Sequence, residues 1–299
     1  MSKKINTISI DRLRSYSAAF SRRGFLDILN YGDFNHLNWI YDMYDKGIKE
    51  YDSYFDYIQY IYSTLTKSYR CEYIIKNEII NQLLLKKYGK KETVAFNEFH
   101  VGDSIVDLAM MNGESKAFEI KTELDSPQRL SKQMNDYKKI FDKCYIVIPA
   151  DKLGYYEDKV DSLTGIITFS FTRGRIKVEE SRSAQKRESL DSDILMKCLR
   201  TQEYQNIITH YYGFLPKVKY YEMYDACCKQ MRGIPFEELR RLVLSEFKNR
   251  KTTTPFLDKC PKDLRQIILS LNLTEKKTNN LIINLYQPIN HNIPCISHI

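Results

Sequence analysis

Apolar positions recur at helical spacing over residues 8–70, where Gly and Pro are rare. Within that stretch Tyr51, Tyr54, Phe55, Tyr57, Ile58, Tyr60, Ile61 and Tyr62 place side chains on more than one face, which predicts a helix buried among others. Tyrosines can stack on bases, but a run at this spacing reads first as core. The pattern changes at residue 71. A helix is predicted over 72–87, with Gly89 as its stop. Short β-rich runs follow at 93–100, 104–111 and 116–122. Ser126-Pro127 combines an N-cap with proline at the first helical position and opens a helix to about Phe141. The continuous apolar run from Cys144 to Ile148, closed by Pro149, predicts a strand buried on both faces. Two more strands, 165–171 and 175–179, are joined by a turn at Arg173-Gly174. Residues 181–187 are polar and read as a linker, and 190–286 is helical again, interrupted at 213–216, 233–235 and 252–255.

The chain therefore divides by pattern into a helical region, 1–70, a core, 71–180, and a helical region, 188–299. The core order of helix, three strands, helix, strand and hairpin predicts an α/β fold, a mixed sheet flanked by helices, with additional α-helical N- and C-terminal regions. With 299 residues, 43% of them hydrophobic and 28% charged, a sizeable buried core is expected and wholesale disorder is not. No run approaches the roughly 18 apolar residues that span a bilayer. The start, Met1-Ser2-Lys3-Lys4, leads into no apolar signal region. A cytoplasmic protein with no membrane partner is the expectation. Seven cysteines without Cys-x-x-Cys spacing fit a reducing compartment, and Cys227-Cys228 reads as helix packing. His291, Cys295 and His298 lack the paired spacing of a structural zinc site.

The net charge of +8 is unevenly placed: Lys and Arg number 10 against 8 acidic residues in 1–70, 17 against 18 in 71–180 and 19 against 12 in 181–299. A basic last third beside a neutral middle suits a polyanion delivered to acidic groups, and a solvated lysine-rich surface explains the counts equally well.

The candidate chemistry lies in Val106-Asp107-Leu108-Ala109-Met110-Met111-Asn112-Gly113-Glu114-Ser115-Lys116-Ala117-Phe118-Glu119-Ile120-Lys121. Asn112-Gly113 between two apolar-rich runs is a hairpin signal. Glu119 and Lys121, two apart on a strand, share a face. Whether Asp107 joins them depends on the loop. A strict two-residue Asn-Gly loop sets 107 against 118 and turns Glu119 away, whereas an odd loop such as 111–113 sets 107 against 117 and puts all three on one face. If the three work together, the odd loop or a compensating bulge is required. Two carboxylates on neighbouring strands can share a hard divalent cation, Mg²⁺ or Mn²⁺. Such an ion polarises a phosphate and acidifies water, and a nearby lysine adds positive charge where negative charge develops. A Glu-x-Lys pair alone carries little information, since Glu246-Phe-Lys248 repeats it on a predicted helix.

Asp107 followed by Glu119-Ile-Lys121, within an α-β-β-β-α-β order, resembles the PD-(D/E)XK superfamily of restriction-endonuclease-like nucleases. The stretch from Glu119 to Ser126 with Arg129, Leu130, Gln133, Tyr137, Phe141 and Asp142 is similar to a largely uncharacterised bacterial and phage branch of it. The resemblance covers about residues 71–180. Val106 stands where the superfamily's label has proline. The resemblance implies a restriction-endonuclease-like fold, with Asp107 and Glu119 as metal ligands and Lys121 as the catalytic lysine. It further implies Glu78, from the first core helix, as an additional metal-binding acid. Gln133 and Tyr137, four apart on the following helix, would support the lysine or touch the phosphate. Asp125 could equally be a turn residue ahead of the helix.

The function expected from these residues is Mg²⁺- or Mn²⁺-dependent hydrolysis of DNA phosphodiester bonds, with DNA over RNA resting on the resemblance. Arg240, Arg241, Lys248, Arg250 and Lys251 form the candidate phosphate-facing cluster. The rival expectation is a nucleic-acid-binding or scaffolding protein that keeps the fold without cleaving. A third would use the Tyr-rich helices to bind a protein. Oligomeric state is open in the sequence, a homodimer being the form in which many relatives of such folds cut.

Overall fold

A computed structural model of the chain describes residues 8–87, 93–123, 125–172 and 174–289. Gly89, Arg173 and the tail residues His291, Cys295 and His298 lie outside the described residues. The chain forms two compact units, one from residues 1–83, 171–177 and 256–299, the other from 84–170 and 178–255.

The first unit is helical. Its elements are α1 (Ile10–Ala18), α2 (Arg22–Tyr31), α3 (Asn35–Tyr44), α4 (Tyr54–Ser68) and α5 (Glu72–Ile79), and α5 continues in wider π-type hydrogen bonding over Ile80–Lys87. Local signals start these helices. Ser9, Ser21 and Ser53 each sit in extended conformation and accept a first-turn backbone N–H, from Arg12, Gly24 and Asp56. The Tyr-rich run is core: Tyr57, Ile58 and Ile61 are fully buried, as is Tyr16 of α1. Burying that many hydroxyls requires acceptors, and Asp45 supplies two oxygens. It is 1% exposed and accepts from Tyr16 and Tyr57 at 2.8 and 2.6 Å and from Arg12 Nη2 at 2.5 Å. Burial and then Asp45 push the Tyr57 hydroxyl well above the usual phenol range.

The second unit holds the six-stranded mixed sheet, whose strands lie in chain order: β1 (Val94–Val101), β2 (Ser104–Met111), β3 (Ser115–Ile120), β4 (Lys143–Pro149), β5 (Gly165–Thr172) and β6 (Arg175–Arg182). The turn end of the β5–β6 pair, 171–177, groups with the first unit. β1, β2 and β3 form an antiparallel meander, and β3, β4 and β5 run parallel. Residues 144–149 of β4 are all buried, as the continuous apolar run requires for a strand paired on both sides. Between β3 and β4, Ser126 accepts from the Gln128 N–H, Pro127 opens a short 3₁₀ turn, and α6 (Leu130–Tyr137) follows. α7 (Leu153–Glu157) lies between β4 and β5.

After β6 the chain makes α8 (Ser192–Cys198), α9 (Thr201–Tyr212), α10 (Met223–Met231) and α11 (Phe236–Asn249), whose apolar sides enter one core with the sheet and α6. Leu195, Ile208, Met231 and Phe247 share it with Phe99, Ala109, Tyr137 and Ile146. Only then do α12 (Arg265–Leu271) and α13 (Glu275–Leu285) complete the first unit. The compact units therefore cut the chain differently from the stretches 1–70, 71–180 and 188–299. Amphipathic helices bury where a complementary face exists, so the third stretch is shared between two cores. The cysteines among the described residues are free thiols. Among the described residues no helix is long and apolar enough to cross a membrane.

One buried carboxylate ties the sheet to α11. Asp142, 1% exposed and one residue ahead of β4, accepts from the backbone N–H and hydroxyl of Ser115 at 2.6 and 2.9 Å and from Arg240 Nε at 2.5 Å. Arg240 Nη2 also donates to the Gly113 carbonyl at 3.2 Å. Removing one partner of such a pair strands the other charge, at a cost of about 3–5 kcal/mol. Asp142→Ala and Arg240→Ala should each lower the urea midpoint by an amount corresponding to that range. A change below ~1 kcal/mol, the level of an exposed pair, would show that this pair holds nothing together.

Candidate active site

Three residues, Asn112, Gly113 and Glu114, connect β2 to β3: Met111 pairs with Ser115 and Leu108 with Phe118. Gly113 takes φ +90°, a conformation that costs glycine little, and the Asn112 N–H donates to the Glu114 carbonyl at 3.0 Å. The loop is odd, and it sits one residue later than 111–113. Continued toward the strand ends, the register sets residue 107 across from 119, not 117. Residues directly opposite in an antiparallel pair project to the same side, and Lys121 follows two residues on.

The side chains confirm the common face. Asp107 Oδ2 accepts the Ile120 N–H at 2.8 Å, so the carboxylate leans over the end of β3. Lys121 is just past β3, yet its backbone N–H still donates to the Val147 carbonyl of β4 at 2.8 Å, which fixes where its side chain starts. Its Nζ donates to Glu119 Oε1 at 2.8 Å and to Gln133 Oε1, on α6, at 3.0 Å. Glu119 and Lys121 are 2% and 7% exposed, whereas Asp107 and Gln133 are half-buried and Ile105 on the same face is exposed. The site is thus deep at the Glu–Lys pair and open at the aspartate.

Tyr137 completes it. Its hydroxyl lies 2.6 Å from both the Ile105 carbonyl and Glu119 Oε2. A phenol has one proton to give, so the Tyr137 hydroxyl divides it between two acceptors, the Ile105 carbonyl and Glu119 Oε2. Burial first, and then the neighbouring Asp107, hold the Glu119 pKa above the usual carboxylate range, against the pull of Lys121 and Tyr137. Tyr137 is the site residue that strand reasoning does not reach; its signal is the four-residue spacing from Gln133 on one helix face. Asp125 closes a turn instead, its Oδ2 accepting the N–H and hydroxyl of Thr122, both at 2.7 Å.

This donor set fits a hard divalent cation. Two carboxylates face each other, one is buried, and one lysine balances a single charge. Among the described residues no group of three or more His, Cys, Asp or Glu side chains is placed to hold a metal. An ion here would rest on Asp107 and Glu119 and keep several waters, the habit of Mg²⁺.

Glu78 belongs to the first unit, where Tyr62, Asn81 and Gln82 donate to its two oxygens at 3.0, 3.1 and 2.9 Å. Two members of the basic cluster are corrected: Arg240 is bound to Asp142, and Arg250 is bound to Glu203 at 2.6–2.7 Å and to the Cys198 carbonyl, with its guanidinium 4.5 Å from the Phe247 ring centre. Both are largely buried, because a guanidinium that finds a buried carboxylate gains more there than in water. Arg241 is exposed and paired with Glu238, Lys251 is exposed and Lys248 half-buried.

The model of a family described as Bacteriophage P4 protein cII matches residues 66–273. Protein cII of Enterobacteria phage P4 is 24% identical over 207 residues, covering 67% of this chain and 77% of that protein. Among solved structures, a Silicibacter pomeroyi protein of unknown function aligns with 41% of this chain and 82% of its own, at 15% identity and a TM-score of 0.28, too low a score to carry an argument.

Because folding raises the Glu119 pKa, its contribution to stability is fully present below the carboxylate's ordinary pKa and is lost as pH rises through the raised value. Glu119→Gln keeps the shape without that loss. In EDTA the wild type should lose melting temperature as pH rises from about 4 to neutral, and Glu119→Gln, which has no proton to lose there, should lose less, on a constant offset set by leaving Lys121 without its carboxylate. Equal pH slopes in the two proteins would refute the strained carboxylate.

Proposed function

The chain belongs to the bacteriophage P4 protein cII family, and for this member we propose a metal-dependent nuclease that hydrolyses DNA phosphodiester bonds at Asp107, Glu119 and Lys121. The observation that carries the reading is a buried Glu119 held between Lys121 and Tyr137 and pressed by Asp107, a cluster costly to keep without a cation to neutralise it. The arrangement supports a restriction-endonuclease-like core. A helix precedes an antiparallel three-stranded meander, α6 follows, and β4 returns parallel to β3, with Glu119 near the end of β3 and Asp107 on the neighbouring β2.

In this reading Mg²⁺ or Mn²⁺ held by Asp107 and Glu119 supplies charge to the scissile phosphate and makes water more acidic. The protein's own groups do the rest. Lys121 presents a compact positive charge at the floor of the opening, where it orients water and offsets the charge that develops on phosphorus oxygens. Gln133 holds Nζ in place, and Tyr137 holds Glu119. Because carboxylates bind a cation in their ionised form and burial holds the Glu119 pKa up, metal affinity at this site would rise with pH. Arg241, Lys248 and Lys251 are the remaining candidates for gripping the backbone. Glu78, in its own hydrogen-bonded setting, is not given a role. Free thiols fit work in the cytoplasm, where a phage-family nuclease would meet DNA.

The test is cleavage of plasmid and linear DNA with Mg²⁺ or Mn²⁺, beside EDTA and Lys121→Ala. The expected result is metal-dependent cutting that falls on the order of 10²- to 10³-fold in the variant, as for loss of one transition-state donor. DNA binding without cutting under either ion would overturn the nuclease in favour of a non-catalytic nucleic-acid-binding protein on the same fold.

A further inference from the structure

The aromatic residues left outside are concentrated in the segment between α9 and α10. Phe214, Tyr220 and Tyr221 are 58%, 91% and 71% exposed, and Tyr211, Val218 and Tyr224 beside them are more than a third exposed. Aromatic side chains bury more apolar area than any others when a core is available. A run of them held in solvent, on ordered helix ends and a 3₁₀ turn (Tyr220–Glu222), is therefore informative in a way that one exposed ring is not.

The charges around the rings are biased. Lys217 and Lys219 alternate with them, and Lys219 Nζ lies 5.8 Å from the Tyr221 ring centre. His210 sits at the preceding helix end, with Arg241 Nη2 3.5 Å from its Nε2. Of the acidic residues in the segment, Glu222 is turned onto the backbone, accepting the Lys219 N–H at 3.2 Å. The two flanking rings, Tyr211 and Tyr224, are braced from behind. Tyr211 stands edge-on to Tyr212 at 4.8 Å between centres, and Tyr212 donates to the Gln230 carbonyl at 2.9 Å; Tyr224 stands edge-on to Tyr204 at 5.7 Å. Gly213, at φ +81°, ends α9 and turns the chain so that Phe214 starts the exposed stretch.

Rings open to solvent, lysines between them and a rigid backing are what unpaired bases need: π-faces to stack on and cations for the phosphates that follow. Duplex DNA offers the phosphates but keeps its base faces to itself. We propose that the Tyr211–Tyr224 segment is a stacking platform for single-stranded DNA, with Tyr220 and Tyr221 as its principal rings and Lys217 and Lys219 as its phosphate contacts. The proposal deepens the nuclease reading, on which it rests only for the choice of DNA as the polyanion, by naming unpaired or frayed strands as the preferred substrate.

The experiment is fluorescence anisotropy with a labelled oligothymidylate and a labelled duplex of equal length, using the full chain carrying Lys121→Ala, in EDTA. In that form binding is read with no contribution from cleavage. Tyr220→Ala/Tyr221→Ala should weaken oligothymidylate binding on the order of tenfold or more, the loss expected for a stacked base, and leave duplex binding within about twofold. Tyr220→Phe/Tyr221→Phe, which keeps the rings, should bind like the parent. Lys217→Ala/Lys219→Ala should flatten the salt dependence by about 0.7 in log–log slope per lost phosphate contact. Equal melting temperatures would show that the variants fold. Unchanged oligothymidylate binding by the alanine double variant, or equal losses on both DNAs, would overturn the platform, the first leaving the rings to a protein partner. Absence of cutting by the wild type with metal would sink the nuclease and leave this result standing, whereas normal cutting with unaltered single-strand binding in the variant would do the reverse.

Discussion

Asp142 is where the hairpin, the strand beside it and a helix far along the chain are fastened together. One oxygen takes the N–H and hydroxyl of Ser115, the first residue of β3, and the other takes Arg240, which also reaches the carbonyl of Gly113 in the turn. With both ends of the turn held, the count of three residues between Met111 and Ser115 is set, and with it the side of the sheet on which Glu119 and Lys121 emerge. Asp107, thirteen residues back from Ile120, then finds its N–H within reach. The chemistry of the site is a consequence of a tether that lies well away from it.

Three buried carboxylates show how differently one functional group can be used. Asp45 has two tyrosine hydroxyls and an arginine, and Asp142 has a serine, a backbone N–H and an arginine. Each is supplied with donors that have protons to spare and with a cation that balances it. Glu119 is supplied less generously. Its lysine is shared with Gln133, its tyrosine has only one proton and a second acceptor, and a like charge stands beside it. The first two are finished structures. The third is a carboxylate with an outstanding electrostatic need.

Much of this was legible in the chain itself. Helical and strand periodicity, Asn112-Gly113, Ser126-Pro127 and the apolar run into Pro149 predict the order of the core elements through β6 except for the short α7, since each is a local signal. The strand ends moved by a residue or two, and β6 runs on into the stretch read as a linker. Parity of the hairpin was legible only conditionally, from the requirement that three charged residues meet. Arg240 and Arg250 were not legible at all. A charge in a sequence carries no mark of whether its partner is solvent or a buried acid some 98 residues away. The same ignorance of partners placed the helices after residue 188 together, when some share the core of the sheet and others belong to the first unit.

The turn at 112–114 bears on how this hairpin can diverge. Exposed turns ordinarily tolerate gain or loss of single residues, because nothing packs on their tips. Here one residue more or fewer would invert β3 relative to β2, sending Glu119 and Lys121 to the opposite side and Phe118 out of its place. Changes of two keep every side chain where it is. Length variants of this loop that retain the site should therefore differ in steps of two, a rhythm that would be visible in related chains before any of them is assayed.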